Sequence, residues 1–471
     1  MIEPLEPRRL RAATFYVAPR GDDANAGTDA TLPWRHVQRA FDVATPGSTV
    51  LVAPGVYREK VDLHVSGSAA DESITFRADG LLGSVVLSGK GVRGANLVHI
   101  QDRSYVRIEG FELRDNLGVR DGSGIRIEGT ADHVELNGNR VHRIRGRNAM
   151  GITIYGSNPA SGVHDLTIDG NEVYDCQAAP SEAVTLNGNV SRFAVTNNVV
   201  HDVNNIGIDF IGGEGVCPDP ALDAARDGVC AGNRVDRARS NYGGGYAAGV
   251  YVDGGRNLVL ERNTVTRSDV GIEVGCEHAG RTVTGVVVRD NVLAGNGKAG
   301  LGFGGYAESV GQVSGCTFTN NTLVHNGRRR PGSAGGEIWV QLGSGNVVRD
   351  NLVVAWPRGT AIDVEPGGEA NALAENWVLA DGGTERATFV WAGDRHRGYA
   401  DYLAAGGADL GTVGVDPLLV DMAGGDFRLA AGSPAVDAGD PAFTPAAGET
   451  DADGGPRVRG GRVDAGAYEV G

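Results

Sequence analysis

From residue 124 onward the chain alternates apolar and polar positions in six-residue blocks: GIRIEG, GITIYG, AVTLNG, GIDFIG, GVYVDG, GIEVGC, GLGFGG, EIWVQL and AIDVEP. The second and fourth positions of every block are apolar, from Ile125 and Ile127, through Val250 and Val252, to Ile362 and Val364. A period of two marks a strand with one buried face. Each block is followed by a second apolar stretch, of the type HVELNGNRV, DLTIDGNEV, LVLERNTV or VVVRDNVL. One asparagine recurs in that stretch, at Asn139, Asn171, Asn198, Asn233, Asn263, Asn291, Asn321, Asn351 and Asn376. The steps run from 25 to 35 residues. That suits one coil of a solenoid whose loops vary in length. The expected fold is all-β, a right-handed parallel β-helix. The inward blocks stack into one core, and the asparagines turn the chain by their tolerance of left-handed backbone and bond along a ladder. Their role is structural.

A solenoid's open ends expose apolar side chains and strand edges and need caps. Residues 15–60 read as strand, loop, helix and strand, with Trp34, Val37, Ala40, Phe41 and Val43 at helical spacing. They are assigned to an N-terminal cap, behind a disordered arm at 1–14. Coils occupy 61–380. Beyond Asn376 the repeat fades, and 381–471 is assigned to a C-terminal cap packed on the helix.

The composition narrows the partners. A net charge of −16 argues against nucleic acid and anionic membranes. No apolar run is long enough for a transmembrane helix. The opening residues lack the apolar region of a secretory signal. The compartment stays open: cytoplasmic, or secreted or periplasmic with its signal removed. Cys217 and Cys230 bracket the loop VCPDPALDAARDGVC and are the pair placed to bridge, with two unpaired thiols as the alternative. Arg328, Arg329 and Arg330 read as a solvated basic loop.

Third and fifth positions of the blocks point outward. The third-position column reads Arg126, Thr153, Thr185, Asp209, Tyr251, Glu273, Gly302, Trp339 and Asp363. The fifth reads Glu128, Tyr155, Asn187, Ile211, Asp253, Gly275, Gly304, Gln341 and Glu365. Asp209, Asp253 and Glu273 therefore share a face on three consecutive coils, and Glu214, Glu277 and His278 follow just after their strands. Like charges stacked in this way repel, and an ordinary solvated face has no reason to gather them. The glycine-only face of GLGFGG leaves room for something flat. Tyr251, Tyr306 and Trp339 border the region as stacking platforms for sugar rings, with Gln341 beside them. Asp253 and Glu273 are one coil and two residues apart, roughly 8 Å between Cα atoms. Carboxyls leaning together reach the separation of a retaining glycosidase, and leaning apart that of an inverting one.

Several segments resemble known families. PGVYRE at the N-terminal cap, and DPLLVD, GDFRLAAGSPAVDAG and VDAGAYE in the tail, are similar to bacterial pectate-lyase-like β-helix proteins. That resemblance implies the architecture. The run YVDGG, RNTVTRSD, VGIEVGCEH at residues 251–278 is similar to the site of β-xylosidases of glycoside hydrolase family 120. It implies that Asp253 is the nucleophile and Glu273 the general acid/base, although the Asp-to-Glu spacing is shorter here and the inserted domain of those enzymes is absent.

The reading reached is a glycoside hydrolase acting on an oligo- or polysaccharide, with Asp253, Glu273 and Asp209 as catalytic residues and Glu214, Glu277, His278, Tyr251, Tyr306, Trp339 and Gln341 as substrate contacts. No metal or cofactor is required by that chemistry, while Ca²⁺ is the ion such an acidic face suits. A polysaccharide lyase or uronate epimerase, Ca²⁺-dependent, is the alternative, with Lys298 near the region. A non-catalytic glycan-binding β-helix is the third.

Overall fold

The computed structural model describes residues 13–69, 72–328 and 334–471. The six-residue blocks form strands hydrogen-bonded in parallel, each pairing with its counterpart one coil away, as in Ala248–Asp253 on Val270–Gly275 and then Ala299–Phe303. The fold is an all-β parallel β-helix built from three sheets. A coil runs from a block strand such as Val270–Gly275, around a corner to Val287–Arg289 in the second sheet, then past an asparagine to Val292–Ala294 in the third. Hydrogen bonding joins the first two sheets, because Val184–Thr196 runs through both.

Apolar side chains of all three sheets meet in one continuous core, which holds Ile125, Ile152, Val184, Ile208, Val250, Ile272, Leu301, Ile338 and Ile362. Along one corner runs the asparagine ladder. The side chain of Asn263 accepts from the backbone N–H and Nδ2 of Asn233 and donates to Cys230 O and Asn291 Oδ1. The same bonds recur from Asn139 to Asn376. The left-handed backbone, however, belongs to the residue before each asparagine: Gly138, Gly170, Asn197, Gly232, Arg262, Asp290, Asn320, Asp350 and Glu375 all have positive φ. The asparagines make the bonds, and their predecessors make the turn. This corrects the expectation that one residue does both.

At the N-terminal end, the strand Thr14–Val17 pairs with Thr49–Val52, and the helix Val37–Val43 buries Val37, Ala40 and Phe41. Glu59, from PGVYRE, accepts the backbone N–H groups of Val37 and Gln38 and so satisfies two donors at the start of that helix. At the other end, Thr388–Trp391 pairs antiparallel with Asp394–Arg397, and the helix Tyr399–Ala404 buries Tyr402. The tail then returns along the solenoid. Its Arg457 is fully buried against Asp290 (3.0 Å) and Glu469 (2.8 Å), and Asp440 accepts from Arg349.

Two expectations fall outside the described residues: most of the 1–14 arm, and Arg329 and Arg330 of the basic loop. Thr14 already belongs to the first strand. Cys217 and Cys230 are not bridged, and all five cysteines are free and buried. Cys230 lies on a second-sheet strand with its Sγ turned into the core beneath the ladder, 3.3 Å from Asn233 Nδ2, while Cys217 sits in the outer loop. Sequence proximity across a loop did not bring the sulfurs together.

Candidate active site

Strand register places the third-position column as the alternation predicts. His99 pairs with Arg126, then Thr153, Thr185, Asp209, Tyr251, Glu273, Gly302, Trp339 and Asp363 follow coil by coil. Asp253 pairs with Gly275 in the neighbouring column. Tyr251 stands between Asp209 and Glu273, and Asp253 lies diagonal to both.

Two of these acids are sequestered from water, while Glu273 is half-buried. Asp209 is 2% exposed and Asp253 5%. Burial, together with the nearby carboxylates of Glu277, Glu214 and Glu273, pushes Asp253 up to about 8. One interaction opposes this: its Oδ1 accepts the backbone N–H of Glu277 at 2.8 Å. Burial also pushes Glu273 up to about 7, with Glu277 adding repulsion and the Lys298 cation pulling the other way. Asp209 is raised well above the usual carboxylate range by burial and by Glu182, Asp253, Glu214 and Glu277. Its Oδ1 is buried with no hydrogen-bond partner among the described residues, as are Asn187 Oδ1 and His278 Nε2. Unpaired buried polar atoms are costly and rare, and they concentrate where a ligand or a reaction completes them.

Of the other residues expected here, Glu277 and Glu214 lie on the exposed rim. Glu214 accepts from Asn187 Nδ2 at 2.6 Å. His278 packs beside Gly213 and Arg281, where the loop after Val270–Gly275 meets the loop after Ile208–Ile211, two coils away. The aromatic platforms need correction. Tyr251 and Trp339 are 6% and 4% exposed and pack together with Ala248, Val270 and Ala299 on the outer surface of the sheet. The indole of Trp339 donates to Glu365 Oε1 at 2.7 Å. The glycine-bare coil is not open either. A Cβ on Gly302 would meet the Trp339 ring at 3.4 Å, so the protein's own indole occupies that space, and a Cβ on Gly304 would lie 2.6 Å from the Gln341 backbone. Gln341 is itself buried. Tyr306 remains as an open platform, 59% exposed.

Several neighbours escaped the sequence reading. Glu182, just before the AVTLNG block, is pushed up to about 8 by burial and by Glu214. Tyr242 and Tyr246 rise from the loop before Ala248–Asp253 and are exposed, and Tyr242 donates to Asn205 Oδ1. Arg281 donates to Asp223 O, and Asp223 in turn accepts the N–H groups of Gly215 and Cys217 and fixes the neighbouring loop. All four lie in loops, where period-two reasoning assigns no direction. Glu182 carried one weak signal, an acid one residue upstream of a block next to the acidic coils.

With regard to metals, Asp132, His164 and Asp165 bring ligand atoms within 4.8 Å of one another, a grouping that the acids around Asp253 do not make among the described residues. Those three sit on the second sheet, and Asp165 already pairs with Arg192.

Comparison with known proteins gives the wider context. The family described as "Right handed beta helix region" matches residues 91–284 and 248–380. The uncharacterized protein YwoF of Bacillus subtilis is 32% identical over 439 residues, 89% of this chain and 92% of its own length. A lacto-N-biosidase of Bifidobacterium longum is 25% identical over 248 residues, 41% of this chain and 16% of that protein. Among solved structures, pectate lyase Pel9A superposes with a TM-score of 0.53 at 17% identity, covering 97% of this chain and 96% of that one. That likeness speaks to the fold alone.

Proposed function

Because the chain belongs to the right-handed β-helix family, whose fold is shared by glycoside hydrolases and polysaccharide lyases, we propose that it is a glycoside hydrolase working through Asp253 and Glu273. The observation that carries this is the gathering of buried and half-buried acids on one outward face, with proton affinities raised into the neutral range. A glycosidic bond breaks when one carboxyl protonates the leaving oxygen and a second carboxylate attacks the anomeric carbon or activates water. Glu273, at about 7, suits the general acid, since a proton donor works best with its pKa near the working pH. Asp253 takes the role of nucleophile or base, with one oxygen fixed by the Glu277 N–H; because its proton affinity exceeds that of Glu273, the reactive form is the minority one that carries the proton on Glu273. Asp209, flanked by Glu182, holds its proton and offers an unpaired oxygen to a sugar hydroxyl. Tyr306, Tyr242 and Tyr246 supply the exposed rings at the rim.

The resemblance to β-xylosidases gives the same two residues the same roles, and the lacto-N-biosidase similarity is in keeping with a glycosidase. The lyase reading has less support. A lyase base near these acids falls to Lys298, whose Nζ donates to Ala334 O and lies over the rings of Tyr246 and Trp339.

The test is a glycan panel read two ways, by released reducing ends and by the ultraviolet absorbance of an unsaturated product. Reducing ends without absorbance, lost in both Asp253→Asn and Glu273→Gln, are the expected result. Absorbance from the wild-type chain, or full hydrolysis by either variant, refutes the assignment.

A further inference from the structure

A second feature lies at the corner where third-sheet strands turn into the site sheet. There a cavity of about 740 Å³ is lined by Lys298, Arg328, Arg358 and Arg395, with Trp356 and one carboxylate, Asp381. It continues past Arg358 and Arg395 into a hollow of about 410 Å³ that adds Arg386 and Arg397. The protein as a whole carries a charge of −16, so cations concentrated on one concave corner run against its composition.

The framework is braced. Trp356 stacks on His325 at 4.0 Å and donates to its carbonyl, and His325 bonds Asp381 at 2.8 Å. The Arg328 guanidinium lies 4.4 Å from the Trp356 ring centre. The cavity also borders the acids. Lys298 stands at its edge, 4.4 Å over the ring of Trp339, and its charge acts on Glu273. From the strand that carries Glu273 to Thr360–Val364 is three coils, roughly 14 Å along the solenoid.

We propose that this cavity is an anion-binding subsite, holding a carboxylate or sulfate borne by a sugar of the glycan whose neighbouring bond lies at Asp253 and Glu273. The subsite rests on reading that face as a glycan-processing site and adds the substrate's class. Planar guanidinium groups bind such oxyanions through paired N–H donors. The acid face meets the sugar with carboxyls while the cavity meets it with cations, so the charge pattern also sets the direction in which an acidic chain lies. Its volume suits a sugar unit or two.

The experiment is calorimetric titration of the full chain with three probes: tetragalacturonate for carboxylate, a neocarrageenan tetrasaccharide for sulfate, and neutral cellotetraose. At least one anionic probe is expected to bind about tenfold more tightly than the neutral one, with affinity falling at high salt. The tighter of the two names the anion. The double variant Arg328→Gln, Arg358→Gln is expected to lose most of that preference while keeping the wild-type unfolding curve and its weak binding of cellotetraose. Equal binding of all three probes, no binding of either anionic probe, or an unchanged preference in the double variant overturns the subsite. The readout is binding, so a chain that binds anionic probes and cleaves none keeps the subsite and loses the assignment of Asp253 and Glu273.

Discussion

Replacing Asp253 by asparagine should stabilise the protein, and by an amount that depends on pH. The side chain is 5% exposed, and its carboxyl is pushed from 3.8 up to about 8, first by burial. Below about pH 4 the group is protonated in both folded and unfolded chains and contributes no difference. As the pH rises, the unfolded chain gives up this proton first and the folded chain retains it, so stability falls until the folded carboxyl also ionises near pH 8. A shift of about 4 units, at roughly 1.4 kcal/mol each, sets a ceiling on the order of 6 kcal/mol. Relaxation and entry of water reduce such penalties, so a gain of roughly 2–4 kcal/mol growing between about pH 5 and pH 9 is expected. Asparagine keeps an oxygen to accept the Glu277 N–H, so the loop contact survives. A chain of this size moves its melting temperature little per kcal/mol, and urea unfolding at the two pH values is the better assay. Equal stability of Asp253→Asn and wild type at both pH values, or a gain that does not grow with pH, would refute the reasoning. A substitution that stabilises the fold and abolishes activity is the mark of a site where acids are held against their preference.

Three other outcomes follow from the same structure. Asn263→Ala leaves the Asn233 N–H and Cys230 O without their bonds in the core, and at about 1–3 kcal/mol per orphaned group should cost roughly 3–5 kcal/mol in urea; a loss below about 1 would remove the ladder's energetic role. Activity should follow a bell-shaped pH profile peaking between about 7 and 8, the values of Glu273 and Asp253, and an acidic optimum near 4–5 would count against their burial. Reductant should leave the unfolding curve unchanged, with thiols reacting only after denaturation, whereas a reductant-sensitive curve would mean that Cys217 and Cys230 are bridged after all.

How far the site could be read in advance depends on where its residues lie. Asp209, Asp253 and Glu273 sit inside strands, where alternation alone fixes the face, and the register confirms their positions. Glu182, Arg281, Tyr242, Arg328 and Arg358 sit in loops and corners, where no period applies, and Arg395 lies in the capping hairpin strand Asp394–Arg397, beyond the repeat. Tyr251 and Trp339 do face outward as expected, yet they meet each other's neighbours across the coils and are covered. Facing outward and being open to a ligand are separate properties, and alternation decides the first alone.

The sequence by itself determined the coil, the core and the asparagine ladder, because a side-chain period of two and a polar residue at one repeated corner leave a single way to bury the apolar positions. It also determined that three acids share a face. The tertiary structure decided the rest. It showed that the left-handed residue precedes each asparagine, that Cys230 turns inward, that Trp339 fills the space above Gly302, and that Lys298 and three arginines close around one cavity. These facts depend on how loops of unequal length fold over neighbouring coils, and residues brought together in that way are about a coil or more apart in the chain.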